Sequence, residues 1–167
     1  MSGNLIRKGL NPLEFLSDVP TRIRVSGNSM TPFLEDGDEA DVVEAAKEDF
    51  KPGDLIVFGR GGELFVHRMV RSGKESFMEM GDNQGGGAWM EWQPRMGKVV
   101  SVAKKDGTAF PLNDEIQIEL GRAIARSQLI RHLRNSLESM VRLKGLKRLV
   151  RLPFKVLDFF VSRKCLL

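Results

Sequence analysis

The hydrophobic period of the chain changes near residue 112, and this change constrains the fold more than any other feature. From residue 21 to about 110, short runs either alternate apolar with polar residues or are apolar throughout, and Gly, Asp or Pro closes each run. Such runs are typical of β-strands separated by turns. The six predicted strands are TRIRV, ADVVEA, DLIVF, LFVHRMV, SFMEM and GKVVSVA. The pattern predicts a mainly β fold built on an antiparallel sheet.

After FPLN, apolar residues recur at helical spacing and NDE supplies a cap with an acidic first turn, so we expect an amphipathic helix ending near Gly145. Its apolar positions are Ile116, Leu120, Ile124, Ile130, Leu133, Leu137 and Val141. A second helical stretch is predicted beyond it, divided or kinked at Pro153. The expected organisation is an N-terminal segment (1–20), a β domain (21–112) and a basic α-helical C-terminal extension (113–167).

The charge of the chain is divided unequally. Residues 114–167 contain 12 Lys and Arg against 5 Asp and Glu, whereas residues 1–113 contain 14 against 17. A basic tail suits an anionic membrane surface or a partner protein, although a helical hairpin packed on the β domain is a third interpretation. Nucleic acid is an unlikely partner because no recognised binding motif accompanies the charge.

Composition also limits the classes of site and of location. No window approaches the roughly 20 apolar residues of a membrane span, and the N-terminus lacks the apolar run of a signal peptide. We therefore expect a soluble or peripherally attached protein and favour the cytoplasm. The sequence has 2 His and 1 Cys, which are far apart, so spacing assembles no metal site and no cofactor is predicted.

Four motifs follow one another in the β region, namely SGNSMTPFLEDGD, KPGDLIVF, FVHRMV and MEMGDNQ, and GKVVSV comes after them. This succession resembles the signal peptidase I family and its relatives, the LexA-type self-cleaving repressors, over about residues 22–103. The resemblance implies the coiled antiparallel β-sheet of that superfamily. It also implies a serine endopeptidase that cleaves a polypeptide substrate, such as a precursor, leader or propeptide, after small residues.

The same resemblance assigns roles to individual residues. Ser29 falls at the nucleophile and His67 at the general base, where bacterial signal peptidases have lysine and the endoplasmic-reticulum and archaeal type has histidine. An imidazole, with a reference pKa near 6.5, is suited to proton transfer near neutrality. Asp82 is the first candidate for a third catalytic member. Glu91 is the alternative, and a dyad with neither remains open.

Two other functions remain possible at this point. A regulatory relative of the self-cleaving repressors is disfavoured, because the Ala-Gly and Cys-Gly bonds that they typically cleave are absent from this sequence. A non-catalytic module that grips extended peptides along a sheet edge is the stronger alternative. It gains weight from Gly27, which stands where many bacterial signal peptidases have a serine that stabilises the oxyanion.

Overall fold

The computed structural model describes residues 13–140, and the predicted second helical stretch lies outside this range. Within this range, eight strands form one antiparallel sheet, and one long helix follows them. The strands are β1 (Thr21–Arg24), β2 (Glu39–Glu44), β3 (Leu55–Arg60), β4 (Glu63–Ser72), β5 (Ser76–Met80), β6 (Ala88–Glu91), β7 (Gly97–Ala103) and β8 (Ala109–Pro111). A 3₁₀ turn spans Lys47–Asp49, and helix α1 spans Glu115–Met140. The predicted fold class, mainly β with a C-terminal helix, is confirmed.

The strand order is β1-β2-β7-β3-β4-β5-β6, and β8 pairs with β7 outside this path. Strand β7 therefore lies between β2 and β3, whereas β3, β4, β5 and β6 are neighbours in chain order. Strands β3 and β4 form a hairpin whose turn residues, Gly61 and Gly62, have φ of +63° and +85°. Only glycine adopts this conformation readily, so the turn residues fix the hairpin register.

Both faces of strand β3 pack against buried apolar side chains. Leu55 and Val57 pack in one buried cluster together with side chains from the N-terminal segment, β2 and β7. Ile56 and Phe58 pack in a second cluster, which includes Met69 and Phe77. The fully apolar run at the start of this strand is explained by burial on both sides of the sheet.

Two strands have no counterpart among the six that the sequence predicts. Strand β6 follows the Gly-rich stretch and pairs with β5 from Ser76↔Glu91 to Glu79↔Ala88. It forms one edge of the sheet, and Trp89 on it is 51% exposed. Strand β8 has three residues. Short edge strands need little apolar alternation, so the hydrophobic pattern gives them no signal.

Helix α1 begins where the sequence predicts, because the Asp114 side chain accepts a hydrogen bond from the backbone N–H of Ile116 at 2.8 Å. The predicted apolar face is correct only in part. Leu120, Ile124 and Ile130 are half-buried, but Leu133 and Leu137 are exposed. Ile116 is 73% exposed, whereas Gly121 and Ala125 are buried. No helix within residues 13–140 has the length and hydropathy needed to cross a bilayer.

Candidate active site

The loop between β1 and β2 is pinned at both ends and carries Ser29. The N–H of Val25 donates to the carbonyl of Asp38 at 2.8 Å, and the N–H of Gly37 donates to the carbonyl of Val25 at 2.8 Å. Met30 and Leu34 are buried in the core beneath the loop. The loop conformation is therefore fixed by its own backbone and by apolar contacts.

The side chain of Asp38 fixes the C-terminal end of this loop. Its carboxylate accepts hydrogen bonds from the backbone N–H of Glu35 at 2.8 Å and from Lys104 Nζ at 2.8 Å, and a longer bond from the N–H of Lys105. Burial alone would raise the pKa of Asp38, but these hydrogen bonds outweigh it and hold the pKa below its usual range. The Gly-Asp turn therefore has a structural explanation, because Asp38 ties the Ser29 loop to the turn that follows β7.

Ser29 and His67 lie within hydrogen-bond distance of each other. The Oγ of Ser29 is 3.1 Å from Nε2 of His67, which projects from the middle of β4. The His67 side chain is buried, whereas Ser29 is partly exposed. A serine that is open to solvent on one side and bonded to a buried imidazole on the other has the geometry of an activated nucleophile.

The other nitrogen of the His67 ring contacts Glu79, a residue that the sequence interpretation missed. Nδ1 of His67 makes a short contact with Oε2 of Glu79 on β5. A carboxylate accepts hydrogen bonds, so this contact assigns the ring proton to Nδ1 and leaves Nε2 free to accept from the Ser29 hydroxyl. The structure therefore contains the linear arrangement Ser29–His67–Glu79.

Asp82 does not join this arrangement. Its two carboxylate oxygens accept from Nε and Nη2 of Arg68 at 2.9 Å and 2.7 Å, and Oδ1 also accepts from Gln128 Nε2 at 2.8 Å. Both members of the Arg68–Asp82 pair are buried. Successive side chains on β4 point to opposite faces, so Arg68 and its partner lie away from the His67 ring. The other sequence candidate, Glu91, is exposed on β6.

The turn that contains Asp82 nevertheless touches the serine loop through its backbone. The N–H of Asn83 donates to the carbonyl of Ser29 at 2.8 Å. A Cβ at Gly81 would lie 2.6 Å from the same carbonyl oxygen, a distance that real Cβ atoms essentially never reach. The Gly-Asp-Asn motif therefore holds Ser29 in place by close backbone packing and by a hydrogen bond.

The backbone N–H of Ser29 is available to a developing oxyanion. Among residues 13–140, no hydrogen bond uses the N–H of Ser29. The N–H of Gly27, in contrast, donates to Oδ1 of Asp36 at 3.0 Å. The donor available at the nucleophile is thus its own backbone N–H.

Helix α1 holds the Gly-rich segment that follows this turn. Asn135 Nδ2 donates to the carbonyl of Gly85 at 2.7 Å, and Nδ1 of the half-buried His132 accepts from the N–H of Gly87 at 3.5 Å. Together with Gln128, these side chains occupy one face of the helix. The C-terminal extension is therefore in contact with the segment that adjoins the serine loop.

The part of the chain that the structure describes was also searched for a cluster of metal-binding side chains. Residues 13–140 contain no cluster of three or more His, Cys, Asp or Glu side chains suited to a metal ion. The side chains in contact at Ser29 are a hydroxyl, an imidazole and a carboxylate, which is the set used in nucleophilic acyl transfer.

A comparison with protein families agrees with this geometry. Residues 20–83 match the model of the Peptidase S24-like family. The match includes Ser29, His67 and Glu79, and it supports a serine-peptidase type of fold for this region. Searches of curated proteins and of solved structures found no match to the chain.

Proposed function

We propose that this protein is a serine endopeptidase in which Ser29 is the nucleophile and His67 is the general base. The observation that carries the proposal is the 3.1 Å contact between Ser29 Oγ and His67 Nε2, made by a ring whose Nδ1 faces the buried carboxylate of Glu79. Nucleophile, base and orienting group thus stand in the order that acyl transfer requires. The Peptidase S24-like match over the same residues supports this assignment.

In the first half of the reaction, the Ser29 hydroxyl attacks the carbonyl carbon of a peptide bond and its proton passes to His67 Nε2. Glu79 stabilises the imidazolium that forms, because its carboxylate accepts the hydrogen bond from Nδ1. The backbone N–H of Ser29 stabilises the negative charge on the carbonyl oxygen. His67 then gives its proton to the leaving amine, and an ester to Ser29 remains.

Water completes the cycle by the same route. His67 removes a proton from a water molecule, which attacks the ester carbonyl, and the proton returns to the Ser29 oxygen as the acid leaves. General acid–base assistance of this kind contributes roughly 10²–10⁴ in rate. An imidazole performs both steps near neutral pH without the deep burial that a lysine base requires.

The proposed substrate is an extended polypeptide with small residues before the cleaved bond, as the resemblance to signal peptidases implies. A precursor, a leader peptide and a propeptide all fit this description. We further propose that the basic extension brings the protein to an anionic membrane surface or to a partner protein. The part of the extension beyond residue 140, which contains most of its basic residues, lies outside the described residues.

Mass spectrometry of a diverse peptide pool tests the proposal. Wild type is expected to create new peptide termini, and Ser29→Ala is expected to create none while keeping the same melting temperature. Peptides that bind to both proteins and are cleaved by neither would overturn the enzyme and favour the non-catalytic peptide-binding module. The pattern of residues before the new termini would define the specificity.

A further inference from the structure

We propose that Arg60 is a positioning residue for this site, and that its charge opposes the uptake of a further proton by the His67–Glu79 pair. The inference deepens the proposed function and rests on it, because the proton in question is the one that would prevent His67 from acting as a base. Arg60 lies at the end of β3 and belongs to none of the four motifs in the sequence.

The two oxygens of Glu79 have different partners. Oε2 contacts His67, whereas Oε1 lies 3.3 Å from Nη1 of Arg60. The Glu79 side chain is 3% exposed, so water solvates its negative charge poorly. Among the described residues, Arg60 is the cation that pairs with Glu79, and a buried carboxylate depends strongly on such a partner.

Arg60 is held toward Glu79 although its side chain is 43% exposed. Its guanidinium carbon lies 4.3 Å from the centre of the Phe65 ring, close enough for a cation–π contact. Its backbone pairs with Glu63 immediately before the tight Gly61-Gly62 turn. The turn fixes the position of the Arg60 backbone, and the contact with Phe65 favours the side-chain conformation in which the guanidinium lies near Glu79.

The remaining surroundings of the pair carry no further charge in the described contacts. Ser29 faces His67 from the loop after β1, Glu79 faces it from β5, and Arg60 reaches Glu79 from β3. The other neighbours of the ring are the uncharged aromatic side chains Phe58 and Phe65, each about 6 Å away between ring centres. The charges at the site are therefore the positive charge of Arg60, the negative charge of Glu79 and one proton that the His67–Glu79 pair can take up or lose.

The direction of the effect follows from these charges. Without its exchangeable proton the pair carries one negative charge, which Arg60 stabilises. With the proton the pair is neutral overall, whichever member holds it, and either protonated form is unable to act as the base. Loss of the Arg60 charge therefore favours proton uptake by the pair.

The experiment compares Arg60→Met with Arg60→Lys by nuclear magnetic resonance of the histidine ring nitrogens. The chain has 2 His, so the His67 signals can be identified with His67→Gln, and His132 serves as an internal reference. In Arg60→Met the titration midpoint should rise by roughly half a pH unit to one unit, as expected for a half-exposed ion pair. Arg60→Lys should stay close to wild type. Arg22→Met, which removes an arginine from a distant exposed pair on β1, should leave the midpoint unchanged.

Peptide cleavage at a series of pH values provides the second readout. The acidic limb of kcat/KM should move upward by the same amount in Arg60→Met. An unchanged midpoint, or an equal shift in Arg60→Met and Arg60→Lys, would overturn the role of the Arg60 charge. If wild type cleaves nothing while the nuclear magnetic resonance midpoint still moves, the electrostatic role stands and the proposed peptidase fails.

Discussion

At the scale of single residues, the assignment of Glu79 is the most direct to test. Glu79→Gln keeps the volume and can still accept the hydrogen bond from His67 Nδ1, but it removes the charge that stabilises the imidazolium. We expect kcat for peptide cleavage to fall by up to roughly 10⁴, because His67 loses both the charge that stabilises the imidazolium and the group that fixes its tautomer. Steady-state kinetics on a cleaved peptide measures the effect. Glu91→Gln, at an exposed carboxylate on β6, is the matched control and should keep wild-type kcat.

For Asp82 we expect a loss of stability and not of catalysis, since its partner is the buried Arg68. Asp82→Asn leaves the buried guanidinium of Arg68 without a counter-charge, so the protein should lose about 3 kcal/mol of stability. The kcat of the folded fraction should remain well above that of Glu79→Gln. Urea unfolding and active-site-normalised kinetics separate the two effects. If Asp82→Asn were as stable as wild type but lost most of its kcat, Asp82 would be a catalytic residue, as the sequence predicts.

The comparison of Glu79 with Asp82 shows which parts of the site could be predicted from the sequence. Ser29 and His67 stand in motifs, and the structure places them together. Glu79 stands in the run SFMEM, whose other inward positions are apolar. A charged residue within a strand that is buried almost throughout needs a partner, and that signal was available. The identity of the partner depends on the β4–β5 register, which includes a bulge between Met69 and Arg71 and does not follow from local pattern.

At the scale of elements, the contact between α1 and the sheet depends on two glycines. Gly53 has a φ of +109°, and a Cβ placed there would lie 2.7 Å from the backbone nitrogen of Arg122. A Cβ at Gly121 would lie 2.8 Å from the carbonyl oxygen of Gly53. The helix and the loop before β3 thus meet backbone to backbone. This explains why Gly121 and Ala125 are more deeply buried than the Ile and Leu positions of the helical pattern.

Gly121→Ala should therefore reverse the usual effect of this substitution. In an exposed helix the change stabilises by about 1 kcal/mol, because alanine loses less conformational entropy. Here the added methyl group meets the Gly53 carbonyl, and we expect the free energy of unfolding to fall by about 1–3 kcal/mol. Thermal and urea denaturation measure it. Arg126→Ala, at an exposed position on the same helix, is the control and should change stability by less than about 0.5 kcal/mol. A stabilised Gly121→Ala would mean that α1 does not dock at this distance.

At the scale of the whole molecule, several carboxylates stabilise the fold by being ionised, and the protein should lose stability in acid. The pKa of Asp38 is held low by Lys104 and by backbone donors despite its burial. Hydrogen bonds from Arg22 and Ser101 lower the pKa of Asp41 on β2, and a hydrogen bond from Arg95 lowers that of Glu44. These pairs join β1, β2, β7 and the loop before β7, so their loss weakens the same side of the sheet.

The sign follows from proton binding. Because the folded pKa of Asp38 lies below the unfolded value of about 3.9, the unfolded chain binds more protons as the pH falls toward and through that range. The stabilisation is complete above about pH 5 and is lost as the pH falls through the folded pKa. Asp38→Asn should be less stable than wild type by about 2 kcal/mol at pH 7, and the difference should narrow at pH 3.5. Urea unfolding at pH 7, 5 and 3.5 measures this.

Lys104→Gln tests the same linkage from the other partner. Without the ammonium group the pKa of Asp38 should rise toward its usual range, so the variant should lose part of the pH-dependent stability that Asp38 provides, and the backbone donors to Asp38 should keep the rest. In the double variant, Asp38→Asn with Lys104→Gln, the two losses should not add, because each removes the same pair. A constant difference from wild type at all three pH values would show that the pair does not determine acid stability. In that case the Gly-Asp turn would hold the Ser29 loop through its backbone hydrogen bonds alone.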